Sequence, residues 1–129
     1  MSWKADVSAD PQLVIANSEL ASDLGIEPEW LHGSEALALF SGQEHAADAE
    51  RYALAYAGHQ FGSYSPRLGD GRALLVGEFV DQHGSRWDLH LKGSGRTPFA
   101  RGGDGKATLG PMLREYLIGE AMAALGIPT

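Results

Sequence analysis

Lys92 closes the run Leu89-His90-Leu91-Lys92, and Glu115 lies in the apolar segment beyond a glycine-rich stretch. An ammonium at a strand end supplies a point charge for phosphate oxygens. A glutamate on the next helix would fix the long lysine side chain, so that less entropy is lost on binding. Two glycine turns flank this lysine in sequence, Leu68-Gly69-Asp70-Gly71-Arg72 and Gly102-Gly103-Asp104-Gly105-Lys106. Each sets backbone N–H groups beside a cation, which is the chemistry of a phosphate-binding nest. The 129-residue chain has a net charge of −7, yet residues 84–106 hold Arg86, Lys92, Arg96, Arg101 and Lys106 against only Asp88 and Asp104. A short cationic stretch in an acidic protein suits a small anion and argues against a nucleic-acid or anionic-membrane surface. On charge alone, a solvated basic loop fits as well.

Two familiar phosphate loops are excluded. Gly69-Asp70-Gly71-Arg72-Ala73-Leu74 lacks the third glycine of a dinucleotide fingerprint and leads into a strand rather than a helix. Gly105-Lys106 is followed by Ala107 where a P-loop needs Ser or Thr, and Ala100 stands where it needs its first glycine. His32, His45, His59, His83 and His90 show no metal-ligand spacing, and the chain has no cysteine for a disulfide or thiolate site.

The elements that must position these groups follow from pattern. With 43% hydrophobic and 21% charged residues the chain reads as one globular fold. Asn17 or Ser18 caps a short helix that Gly25 ends, residues 29–40 are helical with Trp30, Leu37 and Phe40 in register, and residues 46–57 read as a third helix. Residues 58–71 read as an ordered loop pinned by Phe61 and Tyr64. Residues 73–80 and 86–92 form a β-hairpin around Asp81-Gln82-His83-Gly84, with Trp87, Leu89 and Leu91 on one face and Arg86, Asp88, His90 and Lys92 on the other. A last helix over residues 111–125 starts at Pro111 and is ended by Gly126 and Pro128. Gly119, on the Glu115 face, would let the strand approach closely. No run nears the ~20 apolar residues of a membrane span and the start is not a signal peptide, so the expected compartment is cytoplasmic.

A strand-end lysine with a helix glutamate is the arrangement of kinase-like lobes. The fold class expected is therefore α+β, a protein-kinase-like N-terminal lobe of β-hairpin plus helix over residues 58–129, preceded by a helical extension over residues 1–57. Tyr56-Ala57-Gly58-His59-Gln60-Phe61-Gly62, the first glycine turn, and Leu91-Lys92-Gly93-Ser94-Gly95-Arg96-Thr97-Pro98-Phe99 with Arg101 and Gly103-Asp104-Gly105 resemble the selenoprotein O family of kinase-like protein adenylyltransferases. The resemblance implies transfer of AMP from ATP to protein hydroxyls, with ATP inverted relative to ordinary kinases. It puts nucleotide contacts on Gly69, Gly71, Arg72, Lys92, Asp104 and Gly105, and gives Glu115 the role of ion-pair partner of Lys92. Ala100, Lys106, Gly110-Pro111 and Gly119 depart from the family's usual residues, none of them at those six contacts.

The family is several times longer. Its catalytic aspartate, its magnesium ligands and two further arginines are expected in a second lobe beyond Thr129, so no catalytic or metal residue is assigned here. The expected cofactors are ATP and Mg2+, the latter held by that second lobe, and the expected partners are protein substrates, with no nucleic acid and no membrane. The chain alone is expected to be inactive, with apolar surface near Met122 and Leu125 left exposed or buried by self-association. A non-catalytic nucleotide- or anion-binding or regulatory module is the alternative.

Overall fold

The computed structural model describes residues 1–43 and 50–128. The alternating run after the first glycine turn forms β3 (Ala73–Val80) and β4 (Arg86–Lys92), an antiparallel hairpin as the pattern predicts. Its turn is organised by Asp81, whose Oδ1 accepts from the backbone N of His83 and Ser85 at 2.8 and 2.9 Å while Oδ2 accepts from Trp87 Nε1 at 2.8 Å. These bonds, the Trp87 one first, hold the Asp81 carboxyl below its usual pKa. Leu74 pairs with Leu91 across the ladder, and both are buried, as is Val76 at the bulge between Leu75 and Gly77.

The free edge of β3 is paired rather than left open. Tyr52 and Leu75 exchange backbone hydrogen bonds of 2.9 and 2.8 Å, and Trp3 N donates to Arg51 O at 2.9 Å on the far side. The chain start thus extends the sheet, and the buried apolar residues are Ala21, Leu31, Ala36, Ala53, Leu74, Val76 and Leu91.

The sheet that comes first in sequence departs from expectation. β1 (Ala55–Gln60) and β2 (Ser63–Gly69) pair antiparallel, so residues 55–57 are strand rather than helix and residues 58–69 are hairpin rather than loop. The part of the expected third helix over residues 46–49 lies outside the described residues, as does His45. Gln60 pairs with Ser63 across a two-residue turn in which Phe61 and Gly62 have φ of 51° and 77°. Positive φ at both positions gives the twist that tight hairpins need. Pro66 falls opposite the irregularity between Tyr56 and Gly58, where a missing ladder donor is tolerated. Phe61 does not pin this segment, being 98% exposed, although Tyr64 does meet the His59 ring edge-on at 5.6 Å.

Asn17 caps α1 (Ser18–Asp23) by accepting from Leu20 N at 2.9 Å, and Gly25 follows the helix at φ 77°. The helical stretch expected over residues 29–40 is two elements, a 3-10 turn at Pro28–His32 and α2 (Ser34–Phe40), because Gly33 is extended at φ −84°, ψ 164°. Trp30 and Phe40 still meet edge-to-face at 5.9 Å.

The last helix, α3 (Leu109–Ala124), carries Pro111 in its first turn and is followed by Gly126 at φ 70°. None of its residues is buried, and Leu117, Ile118 and the adjacent Leu125 are among the exposed large apolar side chains. A Cβ at Gly119 would meet nothing within 4 Å, so this glycine is not there to admit the strand. Among the described residues no helix is long and apolar enough to cross a membrane.

Candidate functional site

Strand register brings the first glycine turn to Lys92. Ala73 pairs with Lys92 in the β3–β4 ladder, and Gly93 N donates to Arg72 O at 2.7 Å, so the two cationic residues leave adjacent strands side by side. His90 pairs with Leu75 two residues earlier on the polar face of β4.

The chain after Lys92 folds back on itself. Ser94 bridges to Lys106, Gly95 N donates to Gly105 O at 3.3 Å, and Arg96 Nε donates to Gly103 O at 2.8 Å. Gly105 is required at this closure, since it has φ 71° and an added Cβ would lie 2.0 Å from the Gly95 carbonyl oxygen. The closure returns Asp104 to the cavity that Lys92 lines, where its Oδ1 accepts from Lys106 N at 3.0 Å. Phe99 meanwhile lies against the first turn so closely that a Cβ on Gly69 would come 2.3 Å from its ring.

The two turns enclose an open cavity of about 750 Å³. Gly69, Gly71, Arg72, Lys92, Asp104 and Gly105 all line it. The β1 residues Tyr56 and Gln60 form another wall, and Gln60 accepts from Arg101 Nη1 at 3.1 Å. The sequence reading gave no role to Tyr56, Gln60, Thr97 or Phe99. Two aromatics and a threonine amid glycine turns were the available signal, but their contacts depend on a β1–β2 hairpin that the local pattern does not reveal.

Lys92 Nζ donates to Glu115 Oε1 and Oε2 at 2.8 and 2.7 Å, with both side chains about half exposed. The hydrogen bond from Lys92, followed by the charges of Lys92 and Arg72, holds the Glu115 carboxyl below its ordinary range. Arg72, Lys92, Arg101 and Lys106 line the cavity against Asp70 and Asp104, and even with Glu115 paired to Lys92 the local balance stays positive, which suits a polyanion better than a neutral ligand.

A smaller cavity of about 430 Å³ lies against the other side of the β4 end. It shares Lys92 and Lys106 with the first, but there these two cations face Asp6 and Asp10, whereas the larger cavity adds Arg72 and Arg101 against its own two aspartates and is lined by Gly69, Gly71, Gly103 and Gly105 of the glycine turns. For phosphate oxygens the larger cavity is the better match. Among the described residues no group of three or more His, Asp or Glu side chains could hold a metal ion. The carboxylates nearest the turns have other work: Asp104 accepts from Lys106 N, and Asp70 accepts from Leu54 N at 3.0 Å.

The family described as Protein adenylyltransferase SelO matches residues 3–129. The "Protein nucleotidyltransferase YdiU" of Mycolicibacterium smegmatis is 58% identical over 127 residues, which are 98% of this chain and 26% of that protein. Proteins of the same name from Pseudarthrobacter chlorophenolicus and Cereibacter sphaeroides are 58% and 59% identical over the same shares. The chain thus spans about a quarter of the length of the curated relatives it matches.

Proposed function

The chain belongs to the protein adenylyltransferase SelO family, and from that premise we propose that residues 58–129 are the kinase-like, ATP-binding lobe of an enzyme that transfers AMP to protein hydroxyls. The observation that carries this reading is the cavity in which both glycine turns, Arg72 and Lys92 converge. In the reaction a hydroxyl oxygen of the protein substrate bonds to the α-phosphorus of ATP, the bond from that phosphorus to the β-phosphate oxygen breaks, and pyrophosphate leaves with the charge. The hydroxyl proton passes to a base.

The role of this lobe is to bind and hold still. Lys92 and Arg72 set positive charge beside the cavity, Glu115 restrains the Lys92 side chain, and the turns offer backbone donors at fixed positions. Phosphoryl-group chemistry depends chiefly on positioning and electrostatic stabilisation, so such a lobe supplies much of what the reaction needs without a proton-transfer group. Magnesium, which the family's chemistry implies, would neutralise phosphate charge when bound. The described residues do not fit a site for it.

The test is a chimera in which these residues replace the matching region of the Mycolicibacterium smegmatis relative. With labelled ATP and mixed protein substrates, Lys92→Ala should lower label transfer by about 100-fold or more, in line with losing a preorganised charge contact. His90→Ala, which removes no permanent cation, should lower it far less. Equal, near-normal transfer by both variants would refute the assignment. The 129 residues alone are expected to transfer no AMP and to bind ATP weakly, because a phosphate held in an open cavity remains screened by water. Robust transfer by the isolated chain, abolished by Lys92→Ala, would show instead that these residues hold the whole active site.

A further inference from the structure

Thr97 is the most buried polar residue of the glycine-rich loop after β4, at 3% exposure. Its hydroxyl donates to the carbonyl of Asp70 and accepts from Phe99 N at 3.2 Å. One side chain thereby joins the second loop to the first turn, at the residue between Gly69 and Gly71.

The consequence lies in the peptide plane. The Asp70 carbonyl and the Gly71 N–H belong to one planar trans unit and point in opposite directions. A hydroxyl that fixes the carbonyl therefore fixes the N–H as well. The preceding peptide is already committed, since Asp70 N donates to Leu54 O at 2.9 Å. The Gly71 N–H makes no backbone hydrogen bond among the described residues, and Gly71 lines the cavity. Glycine on one side of this peptide leaves its rotation easy, so without a lock the plane could turn and carry the donor away. The Phe99 N–H, by occupying a lone pair of the Thr97 oxygen, directs the hydroxyl proton toward Asp70.

We propose that Thr97 is a positioning residue that locks the Asp70–Gly71 peptide so that the Gly71 N–H faces the cavity as a donor to a phosphate oxygen. Thr97 itself does not touch the ligand. This rests on the reading of the cavity as an ATP site.

The experiment is a titration of the 129-residue chain with ATP, followed by amide chemical shifts, which report weak binding and the folded state together. Wild type, Thr97→Val, Thr97→Ser and Lys92→Ala are compared. Thr97→Val keeps the shape and loses the hydroxyl, so its dissociation constant should rise about 3- to 10-fold, the worth of one hydrogen bond, and the Gly71 amide should lose its ligand-induced shift. Thr97→Ser keeps the hydroxyl and loses a buried methyl group, so it should be less stable yet bind as wild type does. If Thr97→Val does not fold, Thr97→Ala against Thr97→Ser makes the same comparison. Wild-type binding by Thr97→Val, or equal weakening by the valine and serine variants, overturns the inference while leaving the cavity assignment in place. Unchanged binding by Lys92→Ala overturns the cavity assignment, and the role of Thr97 with it.

Discussion

On one side of Lys92 the two glycine turns are bound together through the buried Thr97 hydroxyl and the half-buried Phe99 ring packed against Gly69, and the second turn is closed by Gly105 beneath the Gly95 carbonyl. On the other side α3 has no buried residue and meets the rest of the chain through exposed polar contacts, Lys92 with Glu115 and Asn17 Nδ2 with Glu120 at 2.5 Å. Close packing fixes geometry before any ligand arrives, because every displacement meets a neighbouring atom. Exposed polar contacts hold weakly and are screened by water and salt. The loops can therefore pre-set the direction of donors, whereas the helix sets the place of a carboxylate that can be released.

The largest effect should come from breaking the loop side. Gly105→Ala asks an L-residue to adopt φ 71° and drives a methyl group into the Gly95 backbone, which has no room to yield. Strain of this kind together with overpacking should cost at least roughly 2 kcal/mol. Urea unfolding measures it, and a midpoint equal to that of wild type would mean that the second turn is not held as closely as the geometry says.

The helix side should answer to pH. Glu115 has a lowered pKa in the folded chain, so the stability it contributes is complete above the pKa of an unfolded glutamate, about 4.3, and is lost as pH falls through the lower folded value. Following the Glu115 side-chain carbon by NMR, Lys92→Ala should move the titration upward toward the ordinary range. The Arg72 charge should leave part of the depression in place. An unchanged Glu115 titration in that variant would show that the ion pair does not hold the helix in solution.

The same contrast explains which parts were legible in the sequence. The β3–β4 hairpin could be read because one face buries Leu74 and Leu91 and the other does not, which writes a period of two into the residues. In the β1–β2 hairpin neither face has a buried residue. Nothing selects alternation there, and Gly58, Gly62 and Pro66 mimic a loop. Its turn is Phe61-Gly62 rather than the usual Asn-Gly, so the most direct local signal is missing as well. Alanine-rich residues 53–57 favour helix on propensity, but pairing with β2 overrides it.

The cavity residues were legible as motif letters, whereas their convergence was not. Gly69 and Phe99 are thirty positions apart, and only the folded register of β3 and β4 lays one turn over the other. The reading of Gly119 failed for a related reason. Helical spacing correctly put it on the Glu115 face, but spacing says nothing of how far that face stands from its neighbour.

Gly119→Ala turns that correction into the smallest and most discriminating test. The site is helical and not at positive φ, and the new methyl group would meet nothing within 4 Å. With no clash to oppose it, the propensity difference should act alone and stabilise α3 by up to about 0.8–1 kcal/mol. If α3 is the loosely held partner, much of that gain should appear as helix content at the chain's end rather than as global stability, raising the ellipticity near 222 nm more than the unfolding midpoint. The Lys92–Glu115 pair should survive, since the substitution leaves the glutamate's own turn unchanged. A destabilised variant with a lost ion pair would mean that the strand does approach Gly119 in solution, and that α3 is packed like the loops rather than set against them by charge.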